Sequence, residues 1–237
     1  MNLVYKKSIL YLVLATGILF SMTACHQKKQ VDSVSLECEF PLQRLMEGNR
    51  RFYQLAPIHP DENREQLKQT ALEQHPFAAI VCCSDSRLSP ELIFDQGIGD
   101  LFVIRTAGNI IGGVELGSIE YAVEHLGVKL LMIMGHENCG AIKAYIAGEK
   151  AHGHIQDIVD SLGKEEEMAA IPAEDPKRLD NCVKANILHG VRQLLTQSDI
   201  IREKINKKEI HIVGARYDLD ENKVELLHLW QPYQQPQ

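Results

Sequence analysis

Nowhere in the 237-residue chain do lysine and arginine cluster among aromatic residues, and acids outnumber bases by 32 to 25. A groove that tracks phosphates needs local positive charge, so nucleic acid is not an expected partner. The net charge of −7 is chiefly a solubility feature. The six cysteines lack the spacing of a small disulfide scaffold. Cys25 has its own context, and an odd number is left after it: Cys38, Cys82, Cys83, Cys139 and Cys182. A disulfide framework is therefore not expected, although one bridge, such as Cys38 to Cys182, stays open. No internal repeat occurs.

The N-terminal apolar run, residues 9–20, is too short to span a bilayer comfortably. It follows Lys6 and Lys7 and precedes the small-residue stretch Ser21-Met22-Thr23-Ala24, the pattern of a signal peptide. Cys25 directly after Thr23-Ala24 resembles the cleavage box of bacterial lipoproteins, with Met22 where leucine is usual. The resemblance implies that residues 1–24 are removed and that the Cys25 thiol is acylated, with 25–35 as a tether. The protein is then exported and held on a membrane, on its periplasmic or cell-surface side. An ordinary signal peptide cleaved near Ala24, or an uncleaved anchor, is the alternative.

The rest, residues 36–237, suits one domain with a sizeable core. Helical spacing marks 41–55, with Leu42, Leu45, Met46 and Phe52 on one side, and 61–74 reads as a second helix. The continuous apolar run 77–82 has the signature of a strand buried on both faces. Further strands are expected at 101–105, 128–134 and 210–214, with a hairpin partner at 224–229 after the turn 217–222. Helices are expected at 117–126, 140–147, 155–170 and 181–195, with a loop at 172–177. Lys164-Glu165-Glu166-Glu167 reads as a solvated helical face. Alternating strands and helices predict an α/β fold: a mostly parallel sheet with an antiparallel edge strand, helices on both faces, and strand order 2-1-3-4 plus that edge.

Two segments carry chemistry. Cys83-Ser84-Asp85-Ser86-Arg87 follows the first buried strand, and Gly135-His136-Glu137-Asn138-Cys139-Gly140 follows the third. Ligands of open parallel sheets gather outside the carboxyl ends of strands, so the two segments can converge. Two thiolates and one imidazole form a soft donor set suited to Zn2+. Three protein ligands leave a tetrahedral corner open, and zinc can lower the pKa of water there from about 15.7 to about 7. Thiolates donate more charge than imidazoles, so groups around the ligands must compensate. Asp85 can accept the proton of a zinc-bound hydroxide in a hydrogen bond, and Arg87 can hold Asp85 ionised. Asp85 could instead swing onto the metal as a fourth ligand. Cys82, one residue from Cys83, is expected to face the other side of its strand.

Together the segments Cys83-Ser-Asp-Ser-Arg87 and Gly135-His-x-x-Cys-Gly140 resemble the signature of the beta-class carbonic anhydrases, over about 42–229. The resemblance implies one zinc per subunit on Cys83, His136 and Cys139, and Asp85 and Arg87 as a catalytic dyad. It implies carbon dioxide and bicarbonate as substrate and product, and a homodimer or larger homo-oligomer. Within the plant-like subclass it implies substrate-binding roles for Gln74, nine residues before Cys83, and for Phe102 and Tyr121, the latter two in the partner's site. The other subclass has a tryptophan where Ile80 stands, so no inhibitory bicarbonate switch is expected. Thr106 departs from the family's usual asparagine in Arg105-Thr106-Ala107-Gly108-Asn109. A carbonyl sulfide or carbon disulfide hydrolase on the same scaffold, and a non-catalytic zinc- or bicarbonate-binding lipoprotein, are the rival readings. His75, His152, His154 and His189 have no assigned chemistry: the first three are candidate proton carriers on loops, and His189 is expected to be structural.

Overall fold

The computed structural model describes residues 33–230, with side chains from Phe40 to Leu227. The segment 1–24, Cys25 and most of the tether lie outside the described residues, as does the Cys38 side chain. No described helix is long and apolar enough to cross a membrane.

Five strands form one sheet: β1 (Ala78–Cys83), β2 (Leu101–Thr106), β3 (Leu130–His136), β4 (His211–Tyr217) and β5 (Val224–Trp230). Their order is β2-β1-β3-β4-β5. The first four are parallel, and β5 runs antiparallel to β4 as expected. Every side chain of β1 and β3 is buried. Successive side chains point to opposite faces, so both faces of the sheet's centre are covered.

The helices are α1 (Ser33–Tyr53), α2 (Arg64–Thr70), α3 (Pro90–Ile93), α4 (Gly113–Glu124), α5 (Gly140–Ala147), α6 (Ile155–Leu162), α7 (Glu166–Ala169), α8 (Arg178–Gln197) and α9 (Asp199–Asn206). Helix α8 packs on β3 and β4 through a buried stripe that includes Val183, Ile187, Val191 and Leu194. Its close approach depends on Gly135. A Cβ there would lie 2.7 Å from the Ile187 side chain, well inside contact distance.

Several expected elements shift. Strands β1, β3 and β4 begin and end later than the apolar runs suggest, so Cys83 and His136 are the last residues of β1 and β3 instead of lying just beyond them. Ladder hydrogen bonds extend to the His136–Tyr217 pair, which hydropathy does not reveal. Helix α1 starts at Ser33 and runs through Pro41. The helix expected at 61–74 shrinks to α2, where the Asn63 side chain caps the backbone N–H of Gln66. The helix expected at 155–170 breaks into α6 and α7 around Gly163. That break overturns half of the solvated face: Lys164 and Glu166 stay exposed, but Glu165 and Glu167 turn inward. The Glu165 N–H closes a turn onto the Leu162 carbonyl, and Glu165 is only 4 % exposed. Glu167 is ion-paired with Arg192 at 2.7 Å and faces His189 at 2.9 Å, which gives His189 its structural role. Helix α3 is a single turn, too short to be read from periodicity, and α9, which buries Ile201 and Ile205, is an addition to the expected elements.

Candidate active site

The register of the sheet brings the two segments together. Cys82 pairs with Met134 across adjacent parallel strands, so Cys83 and His136 leave the sheet side by side at its carboxyl edge. Asn138, with φ +57°, turns the chain back, and Cys139 becomes the residue before helix α5. The ligand atoms of Cys83, His136 and Cys139 all lie within 4.8 Å of one another, and all three residues are buried.

His136 is oriented for coordination. Its Nδ1 lies 2.8 Å from the Glu137 carbonyl oxygen, which can only accept, so Nδ1 carries the proton. Nε2 then presents a lone pair, and it is buried without a hydrogen-bond partner. An orphaned acceptor facing two sulfurs is the mark of a metal ligand. A hydrogen bond from Cys139, and after it the Gly108 N–H, hold the Cys83 thiol far below its ordinary range. Cys139 is pushed up, because it is the partner that keeps the proton when no ion is shared between them. Burial raises the Cys82 thiol to about 12, and its side chain is on the opposite face of β1. The donors present therefore fit zinc, which would hold both sulfurs as thiolates beside one neutral imidazole.

Asp85 stands beside this cluster. Its Oδ2 is 3.8 Å from His136 Nε2. Arg87 donates to it three times, from the backbone N–H at 3.0 Å and from Nε and Nη2 at 2.9 and 2.7 Å. The fork holds the Asp85 carboxyl well below the usual carboxylate range.

Arg105, at the head of the segment Arg105-Thr106-Ala107-Gly108-Asn109, clamps this loop from β2. It donates through Nε to the Cys83 carbonyl at 3.3 Å and through Nη2 to the Asp85 carbonyl at 2.7 Å. Its fixed place on β2 beside β1 was the one available signal. Thr106, the departure from the family pattern, bonds the Ile110 carbonyl at 2.6 Å and closes the loop's mouth.

Other expected site residues lie elsewhere. Phe102 precedes Thr106, the partner of Cys83, by four strand residues, about 13 Å along β2. Its ring centroid is 6.3 Å from that of Tyr121 on α4, and Tyr121 is exposed. Gln74 is exposed in the segment before β1, at the end of that strand away from Cys83. None of the three reaches the metal corner of its own chain. His75 and His154 are exposed beside Glu73 and Asp157, and Cys182 is a buried free thiol.

Comparison with known proteins agrees with this geometry. Residues 78–224 match the sequence profile of the family described as carbonic anhydrase. The chain is 38% identical over 186 residues to carbonic anhydrase 2 of Mycobacterium tuberculosis, spanning 77% of this chain and 89% of that protein. It is 37% identical over 192 residues to a carbonic anhydrase of Mycolicibacterium smegmatis, with the same coverage of 77% and 89%. The solved beta-carbonic anhydrase CcaA superposes with a TM-score of 0.63 at 30% identity, covering 79% of this chain and 95% of that one. A tetrameric beta-carbonic anhydrase from Sordaria macrospora gives 0.62 at 27%, covering 70% and 87%. The zinc-type corner at the strand ends and these relatives lead to one assignment: the chain belongs to the carbonic anhydrase family, in its beta class.

Proposed function

We propose that the protein catalyses the reversible hydration of carbon dioxide to bicarbonate and a proton at the corner of Cys83, His136 and Cys139. One observation carries this: three donors converge while Asp85 stays beside them, with both its oxygens on Arg87 instead of completing a closed site. When bound, zinc supplies the Lewis acidity that makes water a nucleophile near neutral pH.

The chain's own residues do the rest. Asp85 is ionised and only accepts hydrogen bonds, so it draws a hydroxyl proton toward Oδ2 and leaves a lone pair aimed at the substrate carbon. Its depressed pKa means that it orients the nucleophile without taking the proton away. The Arg87 fork sets its angle, and Arg105 sets the path of the backbone. The released proton leaves to solvent buffer.

The pocket for an apolar gas is completed by a second copy. Gln74, Phe102 and Tyr121 are too far from their own metal corner, and the exposure of Gln74 and Tyr121 supports a role for them in a neighbour's site. Strand β2 has an open edge among the described residues, which suits pairing between copies. Ile80 is fully buried in mid-strand where the other subclass has tryptophan, which supports a site without the inhibitory bicarbonate switch. Cys25 carries the lipid and holds the enzyme outside the cytoplasm. The leader, Lys6 to Cys25, supports that reading.

The test pairs metal analysis of the purified protein with a pH-indicator hydration assay. About one zinc per chain, and hydration that chelation abolishes, are expected. Zinc-loaded protein without hydration would refute the activity. Anchoring is tested separately: labelled fatty acid should enter the wild type and not Cys25→Ser, and equal labelling of both would refute it.

A further inference from the structure

We propose that Asn186, on α8, is a positioning residue for the metal corner: it fixes Gly108 so that the Gly108 N–H points at the Cys83 sulfur. The inference rests on the metal-site reading above and extends it to a residue 78 positions from the loop it serves.

Asn186 is 3 % exposed and sits in a stripe otherwise made of Val183, Ile187, Gly190 and Val191. A primary amide in such a place is costly unless it is bonded. Its Nδ2 donates to the Gly108 carbonyl at 2.9 Å and lies 3.5 Å from Asn109 Oδ1. On its other side, the Gly108 N–H donates to Cys83 Sγ at 3.3 Å.

The loop needs such an anchor. Gly108 has φ +70° and Asn109 φ +47°, two successive residues in the left-handed region. Glycine moves readily between positive and negative φ, and a flip would swing the N–H away from the sulfur. A larger residue is disfavoured there twice over, by the positive φ and by a Cβ that would lie only 3.0 Å from Ala141 Cβ at the start of α5. Asn186 therefore selects one conformation of a residue that local sequence leaves free. A donor on one thiolate withdraws charge from it. That offsets the strong donation of two sulfurs and keeps the bound metal electrophilic.

The test replaces zinc by cobalt(II) and follows the sulfur-to-cobalt charge-transfer band. In Asn186→Leu, of similar volume and without a donor, the band should move to longer wavelength. Metal content should stay unchanged, kcat should fall about tenfold, and KM should stay within about twofold, since remote effects on ligands are typically of 10–100-fold size. A folded variant with the wild-type band and kcat overturns the proposal. If Asn186→Leu does not fold, Asn186→Ala carries the same expectation, and an unmoved band overturns it equally. Wild-type protein that takes up no cobalt would refute the metal-site reading instead, and the proposal with it.

Discussion

The loop from Thr106 to Ile111 has two faces, and they are built in opposite ways. Toward the strand ends, donors are either bonded or aimed at one point: Gly108 N–H meets Cys83, and Arg87 grips Asp85. Toward α8 lies a polar cavity of about 340 Å³, lined by Asn109, Glu165, Asn186, His189 and Gln193 among others. Glu165 Oε2 and Asn109 Nδ2 are buried in that region with no partner. The two carboxyls respond accordingly. Asp85 is held low by a guanidinium, whereas burial and then the charge of Glu167 push Glu165 up to about 8. Burial alone does not make a carboxylate catalytic. The partner decides whether the group stays charged, and the reacting corner has the partner.

Substitutions on the two faces should therefore behave differently. The largest effect belongs to His136→Ala. It should lose zinc and at least about 1,000-fold in hydration, since unassisted water keeps a pKa near 15.7; metal content and rate, measured together, check this. Asp85→Asn keeps the shape but not the charge. It should retain zinc and lose about 100-fold in kcat, the usual size of a lost proton-positioning group.

Glu165→Gln should leave kcat alone and change the pH dependence of stability. An unfolded glutamate titrates near about 4.3, and Glu165 in the fold titrates at about 8. Between these values the native state holds the extra proton, so stability is full below the window and falls as pH rises through it. Urea unfolding should show wild type and variant alike near pH 4, and the variant more stable by up to about 5 kcal/mol near pH 9. A drop in kcat like that of Asp85→Asn would erase the distinction between the two faces. The smallest effect is expected from Cys82→Ala, one residue from a ligand but on the other side of β1. It should cost about 1 kcal/mol of packing and no zinc.

Legibility followed the same divide. The metal corner could be read because its residues fall in two short segments at the ends of apolar runs, and strand-end convergence is a general rule. The strand order was readable from alternation of elements, and the antiparallel edge from the hairpin turn at 217–222. The other face was not. Gly163 interrupts the helix expected at 155–170, and that rotation carries Glu165 inward, against its charge. Asn186 meets Gly108 only because Gly135 lets α8 press onto β3, a tertiary coincidence with no local trace. The role proposed for Gln74, Phe102 and Tyr121 belongs to a second copy's site, which one chain's periodicity cannot convey.

X-ray absorption at the zinc edge tests the central claim most directly. The account predicts two sulfurs at about 2.3 Å and two lighter atoms at about 2.0–2.1 Å per zinc, with one sulfur lost in Cys139→Ala. Three or four sulfurs around the metal, or a spectrum unchanged by that substitution, would contradict it.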